Sequence, residues 1–250
     1  MKVLVVANWK MNPSTFREAK KLFEATKKAV AKMRSVSVVI APPAIYLREL
    51  AALNRSGKIA LGMQHAHCAP DGAHTGDISL AQAHDAKATY CIIGHAERRA
   101  LGETNNDTRQ KVAAALAAKI TPVLCVGEEV RTPSGDYFEV VREQLRVALK
   151  DVPANKLSKV VVVYEPIWTV GKDTTMNPRD MHEMSIFLRK VAVEAYGEEG
   201  HNLTILYGGS VDASNAAAML SEGDVKGFLV GRASLDAPKF ARLLSVIANT

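Results

Sequence analysis

The chain is poor in cysteine. It has three, Cys68, Cys91 and Cys125, and no C-x-x-C pair. That count gives no disulfide framework and no cysteine-rich zinc module. Cys91 and Cys125 fall in apolar runs and read as small buried side chains. An odd, sparse set fits a reducing cytosol, so a cytoplasmic setting is expected. Long apolar runs are also missing. None approaches the roughly 20 residues that span a bilayer, and the stretch from Met1 to Ala7 turns polar too soon for a signal peptide. No membrane partner is expected. No G-x-G-x-x-G follows the first apolar run, which removes the usual mark of a dinucleotide-binding open sheet. No basic block is interleaved with aromatic residues, so no nucleic-acid partner is expected. No linker or low-complexity stretch divides the chain, and residues 1–250 read as one domain.

What is present is an ordinary globular composition, 48% hydrophobic and 23% charged, over 250 residues. A chain of that size buries enough surface to fold without a staple. The net charge of +6 is scattered over helix-like segments, as at Lys20, Lys21, Lys27, Lys28 and Lys32. It reads as solvated faces, with mild steering of anions second.

Short apolar runs alternate eight times with segments of helical period. The runs are Val3–Ala7, Val36–Ala41, Ile59–Met63, Tyr90–Ile93, Pro122–Val126, Val160–Tyr164, Leu203–Tyr207 and Gly227–Val230. Near-continuous apolar runs suit parallel strands covered on both faces. Between them, Phe16, Ala19, Phe23, Thr26, Val30 and Met33 recur at steps of three and four, as do Met181, Met184, Leu188, Val191 and Ala195. Ser14 and Asn177-Pro178 read as helix starts and Gly197 as a stop. Eight such units predict an α/β protein, a single-domain (β/α)8 barrel, with a doubly wound sheet as the alternative.

In a barrel the chemistry gathers where strands end. The first strand ends Asn8-Trp9-Lys10, and alternation puts Asn8 and Lys10 on one side and Trp9 on the other. The fourth ends Gly94-His95 and opens a helix, whose positive end disfavours a charged imidazole. The fifth ends Gly127-Glu128, with Glu128 a supporting residue or an ion-pair partner. The sixth ends Tyr164-Glu165-Pro166. Proline has no N–H for the ladder and stops the strand. It leaves a carboxylate beside a glycine-bearing loop, the arrangement of a general base under a lid. The seventh and eighth run into Gly208-Gly209-Ser210 and Gly231-Arg232-Ala233-Ser234, turns that expose backbone N–H groups to an anion such as phosphate. After the third strand, His65-Ala66-His67-Cys68 offers the alternative, a metal-dependent (β/α)8 hydrolase using His65 and His67. Strands five and six supply it no further histidine.

Taken together, Asn8-Trp9-Lys10, Gly94 to Arg99, Tyr164 to Trp168, Tyr207 to Val211 and Gly231 to Leu235 resemble the signatures of the triosephosphate isomerase family, in its order and spacing along the whole chain. The resemblance implies interconversion of dihydroxyacetone phosphate and D-glyceraldehyde 3-phosphate through an enediolate, with no cofactor and no metal. It makes Glu165 the base and neutral His95 the group that polarises the carbonyl. Lys10 and Asn8 would steady the developing negative oxygen, and Glu97 would support Lys10. Backbone groups around Gly171, Ser210, Gly231 and Arg232 would hold the phosphate, and the segment from Pro166 to Met176 would shut over the site. It also implies a homodimer, with the loop around Thr75 reaching into the partner. Four positions depart from the family. Ala96 replaces a serine that holds the resting base. Lys172-Asp173 replaces a more neutral lid tip. Arg232 replaces a common glycine, which requires an acceptable φ. His65 stands where asparagine is usual.

Overall fold

The computed structural model describes residues 2–54, 57–169 and 174–250. Eight parallel strands close a barrel: β1 (Val3–Asn8), β2 (Val36–Ala41), β3 (Ile59–Met63), β4 (Tyr90–Ile93), β5 (Thr121–Val126), β6 (Val161–Tyr164), β7 (Thr204–Tyr207) and β8 (Gly227–Val230). The last strand pairs with the first, Leu4 opposite Gly227 and Ala7 opposite Val230. That closure overturns the open-sheet alternative. Val160 and Leu203, expected at strand starts, instead finish short 3-10 turns. Their N–H groups donate to Leu157 and Gly200 carbonyls, so the ladders begin one residue later.

The helices between are α1 (Phe16–Val30), α2 (Ala44–Leu53), α3 (Leu80–Asp85), α4 (Ala96–Ala100), α5 (Asn105–Ala117), α6 (Tyr137–Leu149), α7 (Pro178–Tyr196), α8 (Ala216–Glu222) and α9 (Ala237–Asn249). Helix α1 is capped by Thr15, whose hydroxyl accepts from Glu18 N, and not by Ser14 as expected. It ends at Val30, and Met33 packs on the core from beyond its end. Helix α7 starts and stops as its sequence predicts. Asn177 caps it, Pro178 is its first residue, and Gly197 ends it at φ 59°.

Strand alternation sorts the apolar residues into two cores. Val6, Val39, Ile92, Val123, Cys125, Val161, Val163, Leu206 and Leu229 fill the barrel interior. Val5, Ala7, Trp9, Val162 and Tyr164 face the helices, with Phe23, Leu47, Val112, Leu145, Met184 and Leu243 packed outside. The same period carries the interior side past the last apolar layer. After Val6 comes Asn8, and after Val161 and Val163 comes Glu165. Polar side chains thus cap a packed barrel at the end where the strands stop. All three cysteines are free, and Cys91 and Cys125 are buried as expected. Burial pushes the Cys91 thiol up to about 12, against any role as a nucleophile. Lys20, Lys21, Lys28 and Lys32 are exposed, as solvated faces require. Among the described residues no helix is long and apolar enough to cross a membrane.

Candidate active site

One cavity of about 350 Å³ opens at the C-terminal end of the barrel. Asn8, Lys10, His95, Glu165, Ser210, Gly231 and Arg232 all line it, together with Gly208 and Gly209. Seven residues singled out by sequence from five different strand ends therefore meet at one mouth. Gly171, Lys172 and Asp173 lie outside the described residues.

Glu165 is 3% exposed and leaves β6 with its backbone pinned. Its N–H donates to Val126 O at 2.8 Å, and Gly208 N–H donates to Tyr164 O at 2.8 Å. Gly127 has to be glycine here, because a Cβ would lie 1.9 Å from Glu165 O. One carboxylate oxygen stands 3.0 Å from His95 Nε2, and the other accepts the Ala96 backbone N–H at 3.0 Å. With alanine at position 96, the resting carboxylate is held there by the backbone N–H alone.

His95 is buried, and its Nδ1 accepts the Glu97 backbone N–H at 3.2 Å. That bond leaves the hydrogen of a neutral ring on Nε2, aimed into the cavity. Burial lowers the His95 pKa, but the charge of and hydrogen bond to Glu165 outweigh it, and the net shift is upward. The helix start alone predicted the reverse. The carboxylate parked on the ring makes the difference, since like Lys10 the amides of α4 work against protonation. The peptide before the ring is clamped from both sides. Glu103 accepts Gly94 N–H at 2.9 Å, and Arg99 Nε donates to Gly94 O at 2.8 Å. Glu103 is held down to about 2. Burial raises it, but hydrogen bonds from His65 and Lys111 and the Lys111 charge prevail.

Lys10 sits at φ 52°, in the left-handed region, where the chain breaks out of β1. Its N–H is held by Asn8 Oδ1 at 3.0 Å, and its carbonyl by Gln64 Nε2 at 2.8 Å. Its ammonium reaches Glu97 at 2.6 Å. Glu97 is not among the described residues lining the cavity, and its contact there is the Lys10 ammonium. Glu128 forms no part of the cavity lining either. It is buried, accepts the Tyr164 hydroxyl at 2.8 Å on each oxygen, and accepts Trp168 Nε1 at 3.0 Å. It therefore anchors the segment that follows the base. Tyr207 anchors that segment's far end, its hydroxyl accepting Met176 N–H at 3.1 Å.

Where β7 ends, Gly209 is required because a Cβ would meet Tyr207 Oη at 2.2 Å. Arg232 opens a 3-10 turn, Arg232–Leu235, and is not among the residues with positive φ, so a side chain is accepted where the family has glycine. Sequence reasoning missed Asp212, Asp236 and Lys239, which line the cavity, and the Gln64 and Glu103 supports. Gln64 directly follows β3 and the strand-end rule would have found it. Glu103 is presented by a turn after α4 and has no local mark.

The metal reading fares differently. His65 does not join His67. It faces Glu103 Oε2 at 3.4 Å and Arg98 Nη2 at 3.3 Å. His67 stacks on His74 at 3.8 Å and shares a cluster with Asp77. Its Nδ1, however, accepts the Ala69 backbone N–H at 3.0 Å, the opposite of the donor role a metal-ligating histidine's second nitrogen takes.

Comparison with known proteins settles the family. The model of the family described as triosephosphate isomerase matches residues 3–247. The chain belongs to the triosephosphate isomerase family. Curated relatives named triosephosphate isomerase cover nearly all of it. That of Endomicrobium trichonymphae is 38% identical over 97% of this chain and 98% of its own length. That of Idiomarina loihiensis is 38% identical over 96% of each, and that of Marinobacter nauticus 40% over 95% and 94%. The family acts on a phosphorylated triose as an aldose–ketose isomerase, and the hydrolase alternative at His65 and His67 falls with it.

Proposed function

We propose that this chain interconverts dihydroxyacetone phosphate and D-glyceraldehyde 3-phosphate with Glu165 as base and His95 as the neutral electrophile. The observation that carries the assignment is the pair itself: a buried carboxylate 3.0 Å from the Nε2 of a ring whose Nδ1 is already an acceptor. A substrate carbonyl entering at Nε2 displaces the carboxylate toward the adjacent carbon. Moving the carboxylate off Nε2 breaks the hydrogen bond that helps raise the His95 pKa, while burial and the Lys10 charge still work against a charged ring. Glu165 takes the carbon-bound proton, Nε2–H bonds the carbonyl oxygen, and the enediolate collapses when the proton returns to the neighbouring carbon. His95 moves the oxygen-bound proton between the two oxygens.

A positioned base typically supplies about 10²–10⁴-fold and one oxyanion donor about 3 kcal/mol. Neither suffices alone for a weakly acidic carbon. Asn8 and the Lys10 ammonium add charge stabilisation, with Glu97 holding Lys10. The backbone groups of Ser210, Gly231 and Arg232, with Gly171, take the phosphate. Closure of the Pro166–Met176 segment excludes water. Its anchors at Glu128–Trp168 and Tyr207–Met176 support a hinged loop. The reaction needs no cofactor or metal. Free cysteines support a cytoplasmic setting. A coupled assay with chelator present tests the reading. Interconversion at full rate is expected, and dependence on added metal would refute it.

The same reading makes the protein a homodimer through the loop around Thr75. Residues 71–77 are exposed, and Met11, Ile45 and Leu101 stand 92%, 78% and 75% exposed after β1, β2 and β4. Large apolar side chains left in water after strand ends favour a second copy. Gln64 links the two regions by bonding both Lys10 O and Ala41 O. Light scattering should give about twice the 27.0 kDa chain mass, and Thr75→Arg should shift it to monomer and cut activity more than about tenfold. A fully active monomeric wild type would count against the dimer.

A further inference from the structure

The ladder between β4 and β5 stops early. Its last pair is Ile93 with Leu124, whereas β5 and β6 stay paired as far as Val126 and Tyr164. Gly94 turns away at φ 72°, one residue before His95. Past that point a side chain closes the seam. Arg99 Nε donates to Gly94 O at 2.8 Å, Nη2 to Cys125 O at 3.3 Å, and Nη1 to Asn105 Oδ1 at 2.7 Å. Two carbonyl oxygens cannot bond each other, and a guanidinium, which only donates, joins them. None of the three partners is a carboxylate, so here the cation serves as a fork and not as half of an ion pair. Gly94 makes room for it. An added Cβ would lie 2.9 Å from Arg99 Nη2 and 3.0 Å from Cys125 O. Glycine brings no side chain to hold its own peptide, so hydrogen bonds must fix it.

The two ends of this bridge carry the reacting pair. Gly94 O belongs to the peptide that delivers His95. Cys125 precedes Val126, whose carbonyl accepts Glu165 N–H at 2.8 Å. Arg99 itself lines no part of the cavity. We propose that Arg99, steered by Asn105, is a positioning residue that fixes His95 relative to Glu165 by stitching the ends of β4 and β5 together. The proposal rests on the isomerase reading for its kinetic test. Because the bridge acts through main chain behind the ring, it bears on turnover and leaves substrate grip alone. An ammonium is a point charge and cannot span three acceptors as the planar fork does.

Steady-state kinetics and heteronuclear NMR of the His95 ring test the proposal on wild type, R99M, R99K and N105A, with circular dichroism as the fold control. R99M should lose about tenfold in kcat, less than the loss of about 10² that a full ångström brings. Its KM should stay within about threefold of wild type. The His95 Nε2 signal of the free enzyme should move. R99K should keep most of the loss. N105A leaves both carbonyl bonds in place and should lose about threefold, the scale of one hydrogen bond, with a smaller movement of the same signal. Wild-type kcat in R99M, full recovery in R99K, or a fall in kcat with the His95 signal unmoved overturns the proposal and leaves the isomerase reading standing. Should R99M fail to fold, N105A decides, and wild-type kcat there overturns the proposal. If wild type fails to isomerise, that reading falls, and the His95 signal still decides whether Arg99 sets the ring.

Discussion

Glu165→Asp is expected to fold normally and to lose at least about 10² in kcat, since a shift of about 1 Å from productive geometry costs that much. The reason lies in what surrounds the backbone. Glu165 N–H is tied to Val126 O and the neighbouring Tyr164 O to Gly208 N–H. Gly127 approaches so closely that even a Cβ would collide with Glu165 O. The main chain cannot advance to make up for a lost methylene. The shorter carboxylate keeps its charge and its burial, so substrate binding should change little and KM should stay within about threefold, as for an interaction made mainly in the transition state. Glu165→Gln removes the base and should lose more, towards the upper end of about 10²–10⁴-fold. Steady-state kinetics with circular dichroism as the fold control checks both. Aspartate turnover within a few-fold of wild type would remove Glu165 from its role.

The second large effect is on stability. Glu103→Gln should lower folding stability by about 3 kcal/mol, the usual cost of stripping one partner from a buried pair. The glutamine oxygen can still accept the Gly94 N–H, but the Lys111 ammonium, 10% exposed and 3.0 Å from Glu103, keeps its charge without the carboxylate bonded to it. For a chain of this length the melting temperature should fall by about 6–12 °C. The pH dependence has a definite sign. The Glu103 pKa is depressed from 4.5 to about 2 in the folded protein. Its contribution is therefore complete above the unfolded value and is lost as pH falls from about 4.5 through 2. That shift corresponds to about 3 kcal/mol, in agreement with the substitution. Urea midpoints measured against pH should show the wild type losing stability through that window. Glu103→Gln should start lower and lose less. Parallel curves for the two proteins would show that Glu103 is not the group responsible.

Much of this site is legible in the sequence because strand ends are legible. An apolar run that stops at Pro166, or at Gly94 with a helix behind it, marks both the strand and the residue it delivers to the mouth. Period-two alternation then separates Asn8 from Trp9 without coordinates. The barrel likewise follows from eight alternations with no break. What stayed hidden depends on contacts distant in sequence. Glu103 reaches Gly94 from the far end of α4, and Gln64 bridges Lys10 and Ala41. The direction of the His95 shift is hidden for the same reason, since the helix start is local and Glu165 lies 70 residues away. Thr15 rather than Ser14 caps α1 because either residue type can do so and only backbone geometry chooses.

The central claim is that a buried carboxylate and a neutral imidazole, brought together by β4 and β6, isomerise a triose phosphate by moving a proton through an enediolate. Proton NMR of the reaction run in deuterium oxide with chelator present tests it most directly. The account predicts product carrying solvent deuterium on the carbon that receives the proton, at a rate that collapses in Glu165→Asp. Product free of deuterium, as a hydride shift would give, or no product until metal is added, would contradict it.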